Sequence, residues 1–249
     1  MGRWSRSLAD EVVTRLAPRP GLRWLDVGCG TGAASEAVMV RATPSSLIGV
    51  DPSAAFVAAA ASRLDDQRAT FVTGDAMDLP VPDSSVDRVI CGLALNFVPD
   101  PVGAGREMSR ALVAEGLATA YVWDYSDEMQ MLRYFWDAAV AEDPQAISQD
   151  EGATFPLCRP ESLHRCFVDS GFAEVKVRAV DLPTVFRDFD DYWVPYLGGQ
   201  GHAPRYCAAL PDAARERLRG RLQAALPREP DGSIRLRARA WEVTGVQRV

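Results

Sequence analysis

The feature that most limits what this chain can fold into is the repeated alternation of short apolar runs with helical stretches. Segments 22–27, 47–50, 70–72, 86–91, 117–122 and 175–180 have the length and apolar content of strands. Helical segments lie between them, most clearly the alanine-rich 53–64 and then 101–112. Strand, helix, strand, repeated, calls for crossover connections and a parallel sheet covered on both faces. A final segment, 234–246, alternates through Ile234, Leu236, Ala238 and Ala240 and predicts one more strand. The expected fold is α/β: a doubly wound, seven-stranded, mostly parallel sheet with a reversed last strand, plus helical insertions forming a cap.

Two segments exceed the minimal alternation. Residues 124–157 carry a helix over 129–141, and residues 183–230 are rich in aromatics, Gly and Pro. Both are read as insertions over the active edge, because ligands of such sheets bind outside the carboxyl ends of the strands. Ahead of them, 5–16 is an amphipathic helix with Leu8, Val12, Val13 and Leu16 on one face, ended by Pro18 and Pro20. The expected organisation is an N-terminal helix or lid over 1–20 and a main Rossmann-like domain over 21–249.

Composition narrows the partners. The net charge of -7 argues against a phosphate backbone as the main partner, since nucleic-acid affinity comes chiefly from cations neutralising phosphates. Five dispersed cysteines without a C-x-x-C pair suggest neither a disulfide framework nor a thiolate metal site, and the expected compartment is the reducing cytoplasm. No apolar run reaches membrane-spanning length, and the N-terminus lacks the apolar core of a signal peptide. With two histidines and no ligand cluster, no metal is expected. The expectation is a cytoplasmic monomer or homodimer acting on a small molecule, without nucleic acid or membrane.

The chemistry is carried by Leu25-Asp26-Val27-Gly28-Cys29-Gly30-Thr31-Gly32, which ends a strand and opens a helix. Glycines let a ligand approach the backbone, and the turn offers N–H groups and a helix N-terminus. Gly28-x-Gly30-x-x-Ala33 also satisfies a loose dinucleotide fingerprint, so a nicotinamide-dependent oxidoreductase is one reading. Asp26 argues against it: a carboxylate just before the first glycine suits a cationic ligand better than a pyrophosphate. Asp51, with Pro52 after it, closes the second strand, where either kind of enzyme places an acid.

Here the sequence resembles the class I S-adenosylmethionine-dependent methyltransferase family, whose first motif reads acid-x-Gly-x-Gly-x-Gly. The resemblance continues through Gly74-Asp75-Ala76, Leu79-Pro80-Val81-Pro82-Asp83-Ser84-Ser85-Val86-Asp87 and 92–101, and covers 24–122 specifically. It implies a small-molecule methyltransferase with S-adenosyl-L-methionine as cofactor and S-adenosyl-L-homocysteine as product. It further implies Asp51 on the ribose hydroxyls, Asp75 accepting from the adenine amino group, the Ala76 N–H on a ring nitrogen, and the stretch 92–101, Leu93 in it, lining the methionine end. With Asp26, Gly28, Gly30, Gly32 and Pro52 these are the expected cofactor residues. Asp83 and Asp87 read as ordinary turn and strand-start residues. Leu95-Asn96-Phe97-Val98 departs from the Asn-Pro-Pro-Tyr type and weakens an adenine-N6 reading. A methyltransferase-like protein with an altered reaction is the remaining alternative.

Methyl transfer from a sulfonium needs alignment and exclusion of water, and a base only where the acceptor carries a proton. Trp4, Trp123, Tyr125, Tyr192, Trp193 and Tyr196 are the candidate acceptor wall, since aromatic faces suit planar or cationic ligands. The alternative is that they pack the inserted helices. His202, after Gly198-Gly199-Gln200-Gly201, is the candidate base in a mobile loop, with Tyr125 a second catalytic candidate. His164 reads as a surface residue.

Overall fold

The computed structural model describes residues 2–198 and 201–248. The chain forms two compact units, one of Met1–Val122, Arg159–Val180 and Ala240–Val249, the other of Trp123–Cys158 and Asp181–Arg239. One seven-stranded sheet, in the order β3-β2-β1-β4-β5-β7-β6, organises the strands. These are β1 (Arg23–Val27), β2 (Ser46–Asp51), β3 (Ala69–Thr73), β4 (Val86–Gly92), β5 (Leu112–Trp123), β6 (Ala173–Phe186) and β7 (Ile234–Val246). The pairs β1–β2, β1–β4, β2–β3 and β4–β5 are parallel. The last strand is antiparallel. Along it, Glu115 donates to Gln247 O whereas Asp124 donates to Arg239 O, so the partner number falls as β5 advances.

The strands begin where apolar runs begin. β1 buries every residue after Arg23, which a strand covered on both faces requires. In the first unit the helices are α1 (Gly2–Leu16), α2 (Ala33–Arg41), α3 (Ala54–Arg63), α4 (Pro101–Ala111) and, later in the chain, α7 (Pro160–Asp169). Ser53 caps α3 by accepting from the Phe56 N–H, and Asp100 with Pro101 starts α4 by accepting from the Gly103 N–H. α1 packs on α2 and α4 on α7. His164 is exposed on α7.

The second unit holds α5 (Gln130–Glu142), α6 (Glu151–Thr154), α8 (Phe189–Trp193), α9 (His202–Ala209) and α10 (Asp212–Ala225). Its core is aromatic. Phe135 of α5 stacks on Tyr196 at 4.5 Å and meets Trp136 edge-on at 5.2 Å. Arg133 pairs with Asp150, and Trp136 Nε1 donates to Glu151 Oε2 at 2.5 Å, so two consecutive acids fasten α6 to α5. Among the described residues, no helix is long and apolar enough to cross a membrane. All five cysteines are free and buried.

Candidate active site

In the first unit the carboxyl ends of β1, β2, β3 and β4 open on a cavity of about 510 Å³. That volume lies within the range of ligand pockets, roughly 300–1,000 Å³. From the expected cofactor residues it collects Gly28, Gly30, Asp51, Pro52, Asp75, Ala76 and Leu93. Gly32 and Asp26 do not line it: Gly32 is the N-cap of α2, and Asp26 is fully buried on β1.

The glycine turn is held from beneath. Gly28 and Cys29 N–H groups both donate to Val50 O, at 2.8 and 3.0 Å, which joins the ends of β1 and β2. Gly28 has φ +70°, and a Cβ there would stand 2.4 Å from Ala94 Cβ, so both backbone and space demand glycine. Gly30 differs. Its φ of +52° favours glycine, but nothing lies within 4 Å of a Cβ, so a larger side chain there would project into open space without meeting the protein.

Asp51 ties the turn to the next helix. Its Oδ2 accepts from Gly30 N–H and its Oδ1 from Ser53 N–H, both at 2.9 Å. Two backbone donors fix the carboxylate at the cavity wall while each oxygen retains a lone pair for a ligand hydroxyl. Asp75, exposed after β3, accepts from Met77 N–H at 2.9 Å and is likewise fixed. Leu93 holds φ +61°, a costly conformation for a branched side chain, and its N–H donates to Tyr121 O at 2.8 Å.

Two large apolar edges complete the cavity: Phe56 on α3, which sequence reasoning passed over, and Phe97 in the 3-10 turn after β4, within the stretch 92–101 expected along the methionine end. They are 49% and 62% exposed, unusual for phenylalanine. Their signal was positional: each lies a few residues beyond a strand end that carries motif residues.

Beneath the turn, Asp26 Oδ2 accepts from the Ser35 hydroxyl at 2.6 Å, and Oδ1 has no hydrogen-bond partner. Burial pushes this carboxyl up to about 6, against the Ser35 hydrogen bonds and with a smaller push from Asp51. The acid lies beneath the turn rather than in the cavity wall, and burial disfavours its charged form. Fixed carboxylates at two strand ends and a turn that a Cβ would obstruct together suit a cofactor with ribose and base.

Residues 25–120 match the family described as Methyltransferase domain. A demethylmenaquinone methyltransferase of Roseiflexus sp. (strain RS-1) is 31% identical over 184 residues, covering 69% of this chain and 76% of the relative. The chain is a class I S-adenosylmethionine-dependent methyltransferase. Two solved structures share the methyltransferase's fold. YcgJ of Bacillus subtilis superposes with a TM-score of 0.63 at 20% identity, covering 98% of this chain and 99% of that one. Phosphoethanolamine N-methyltransferase 2 of Haemonchus contortus, solved with S-adenosyl-L-methionine, gives 0.60 at 17% identity, covering 98% and 53%. The cofactor of the methyltransferase is S-adenosyl-L-methionine, and the oxidoreductase reading is set aside.

The remaining expected residues belong mostly to the second unit. Tyr192 and Tyr196 hydroxyls both donate to Met131 O at 2.8 Å, and Trp193 stacks with Phe189 at 6.3 Å. These three are packed in that unit's aromatic core, and neither phenol is left to greet a ligand. Tyr125 lies 5.9 Å from Phe155, and burial pushes its phenol up, with Glu151 adding to the effect. Trp123, at the end of β5, and Trp4, on α1, are buried. His202 opens α9 rather than lying in a loop; its ring meets Phe155 edge-on, and Nδ1 is 3.7 Å from Glu151 Oε1. Gly199 and Gln200 of the expected mobile loop lie outside the described residues. Among the described residues, no group of His, Cys, Asp and Glu could hold a metal ion.

Proposed function

We propose that the methyltransferase moves a methyl group by in-line displacement onto a planar, largely apolar small molecule. The reading is supported by one convergence: residues from separated sequence blocks, 28–30, 51–52, 75–76 and 93, line one cavity whose edges are two exposed phenylalanines. Bound S-adenosylmethionine supplies an electrophilic methyl on a sulfonium. The glycine turn receives the methionine end beside Leu93, Asp51 the ribose hydroxyls, and Asp75 with Ala76 the adenine. Phe56 and Phe97 offer flat apolar faces and exclude water. Tyr125 is unsuited as a base, because burial beside Glu151 opposes its ionisation.

Calorimetric titration with S-adenosylhomocysteine tests the cofactor assignment. Asp51→Ala should weaken binding by about tenfold or more, since hydrogen bonds to a charged group are worth roughly 1.5–3 kcal/mol. Unchanged affinity in a folded variant rejects the ribose role. The acceptor assignment is tested by following S-adenosylhomocysteine formation with a panel that begins with demethylmenaquinone, the compound in the relative's name. Turnover of planar ring acceptors over charged amines is expected; the reverse preference rejects the apolar class.

A further inference from the structure

We propose that Arg110 and Glu107 are positioning residues for the adenine end of the cofactor site, acting through the loop that follows Asp75. This rests on the reading that Asp75 and Ala76 receive the base. The loop, Leu79-Pro80-Val81-Pro82-Asp83, contains two prolines and so lacks two N–H groups with which a regular element would pair its backbone. Side chains of α4 supply what is missing. Arg110 Nη2 donates to Leu79 O at 3.0 Å, and Nη1 donates to Val81 O at 2.9 Å and to Asp83 Oδ1 at 2.6 Å. Glu107, one turn earlier, accepts from Arg110 Nε at 2.8 Å and Nη2 at 2.7 Å, and its Oε2 accepts from the Leu79 N–H at 2.9 Å.

One planar guanidinium therefore grips the carbonyls on either side of Pro80. Lysine, a point charge, has no such fork. The Leu79 and Val81 side chains are buried, so the loop is fastened from both its backbone and its apolar side. Arg110 holds the Glu107 carboxyl below its ordinary range, and Glu107 with Asp83 raises the guanidinium further, so the clamp stays ionised throughout the neutral range.

Pro80 carries the clamp to the cavity. A Cβ on Gly74 would lie 3.0 Å from Pro80 Cδ, Pro80 Cγ and Val50 Cγ1, so the proline ring rests on bare backbone directly before Asp75. Asp75 is tied to the start of the same loop, its carbonyl accepting from Asp78 N–H at 3.2 Å and its carboxylate from Met77 N–H at 2.9 Å. Gly74, Asp75 and Ala76 all line the cavity. Close-packed contacts transmit displacement, and a hydrogen-bonding residue loses selectivity when its support is loosened.

The test is base discrimination. S-adenosylhomocysteine and S-inosylhomocysteine, which carries a carbonyl oxygen in place of the exocyclic amino group, are titrated into the full chain by calorimetry. The wild type is expected to prefer the adenosyl compound by about tenfold, as one hydrogen bond to a charged acceptor implies. In Arg110→Met the preference should fall below about threefold, in Glu107→Gln to an intermediate value. Arg41→Met, which breaks an ion pair with Asp10 elsewhere on the same unit, should leave it unchanged. Should Arg110→Met fail to fold, the Glu107→Gln comparison decides. Full preference in the folded clamp variants overturns the inference alone. No preference in the wild type overturns the adenine assignment and the inference with it.

Discussion

The two units of the methyltransferase spend their polar and aromatic groups in opposite ways. In the first, strand-end carboxylates are fixed by backbone donors but keep lone pairs toward a cavity, and two phenylalanines stay exposed at its edge. In the second, Asp150 and Glu151 are consumed by Arg133 and Trp136, and Tyr192 and Tyr196 share a single carbonyl. Residue type alone did not separate these cases. An acid or aromatic is available for chemistry only where local structure leaves part of its bonding capacity unspent.

The comparison is broken most easily at Phe135, which is fully buried in the second unit's aromatic core. Phe135→Ala should cost about 3–5 kcal/mol in chemical denaturation. A loss under about 1 kcal/mol would show that this core does not hold the unit together. Next comes Asp26, whose folded-state pKa of about 6 exceeds its ordinary value of 3.8. Folding then favours the protonated acid, so its penalty is absent below about pH 4, grows as pH rises toward 6 and is complete above, at roughly 3 kcal/mol. Asp26→Asn should therefore gain stability over wild type across that window. A difference that does not vary with pH contradicts the burial argument.

Gly28→Ala probes the turn. Its Cβ would meet Ala94 in a backbone conformation unfavourable to alanine, and a cost of about 1–3 kcal/mol is expected in stability, in cofactor affinity or divided between them. Wild-type values for both would refute the need for glycine. The smallest effect belongs to Tyr192→Phe. Met131 O keeps the Tyr196 hydroxyl, so no buried acceptor is orphaned, and the loss should be about 1 kcal/mol or less. A loss above about 2 kcal/mol would mean that the Tyr192 hydroxyl does more than share this carbonyl.

The sheet was largely legible because strand periodicity and crossover helices repeat the same message. The span 234–246 was read end to end as β7. The apolar run 175–180 marks only part of β6, which continues through Pro183 to Phe186, into the segment assigned to the second insertion. β6 lies at the sheet's edge, where a residue without an N–H is tolerated. α10 was hidden in a segment characterised by its aromatics, glycines and prolines, although Leu218 and Leu222 stand at helical spacing.

Motif residues at strand ends were readable because topology dictates where they emerge. Asp26 was readable as an acid near the turn but not as one beneath it, since inward and outward faces of a strand buried on both sides look alike. Tyr192, Trp193 and Tyr196 were read for their ring chemistry. Their partner, the Met131 carbonyl, belongs to another helix and leaves no trace in local sequence.

The central claim is that one cavity, walled by the glycine turn, Asp51 and Asp75, holds the cofactor. A crystal structure of the methyltransferase with S-adenosylhomocysteine tests it directly. The account predicts ribose hydroxyls within hydrogen-bond distance of Asp51 and the adenine amino group on Asp75. A nucleoside bound elsewhere, or turned so that Asp51 faces the base, would contradict it.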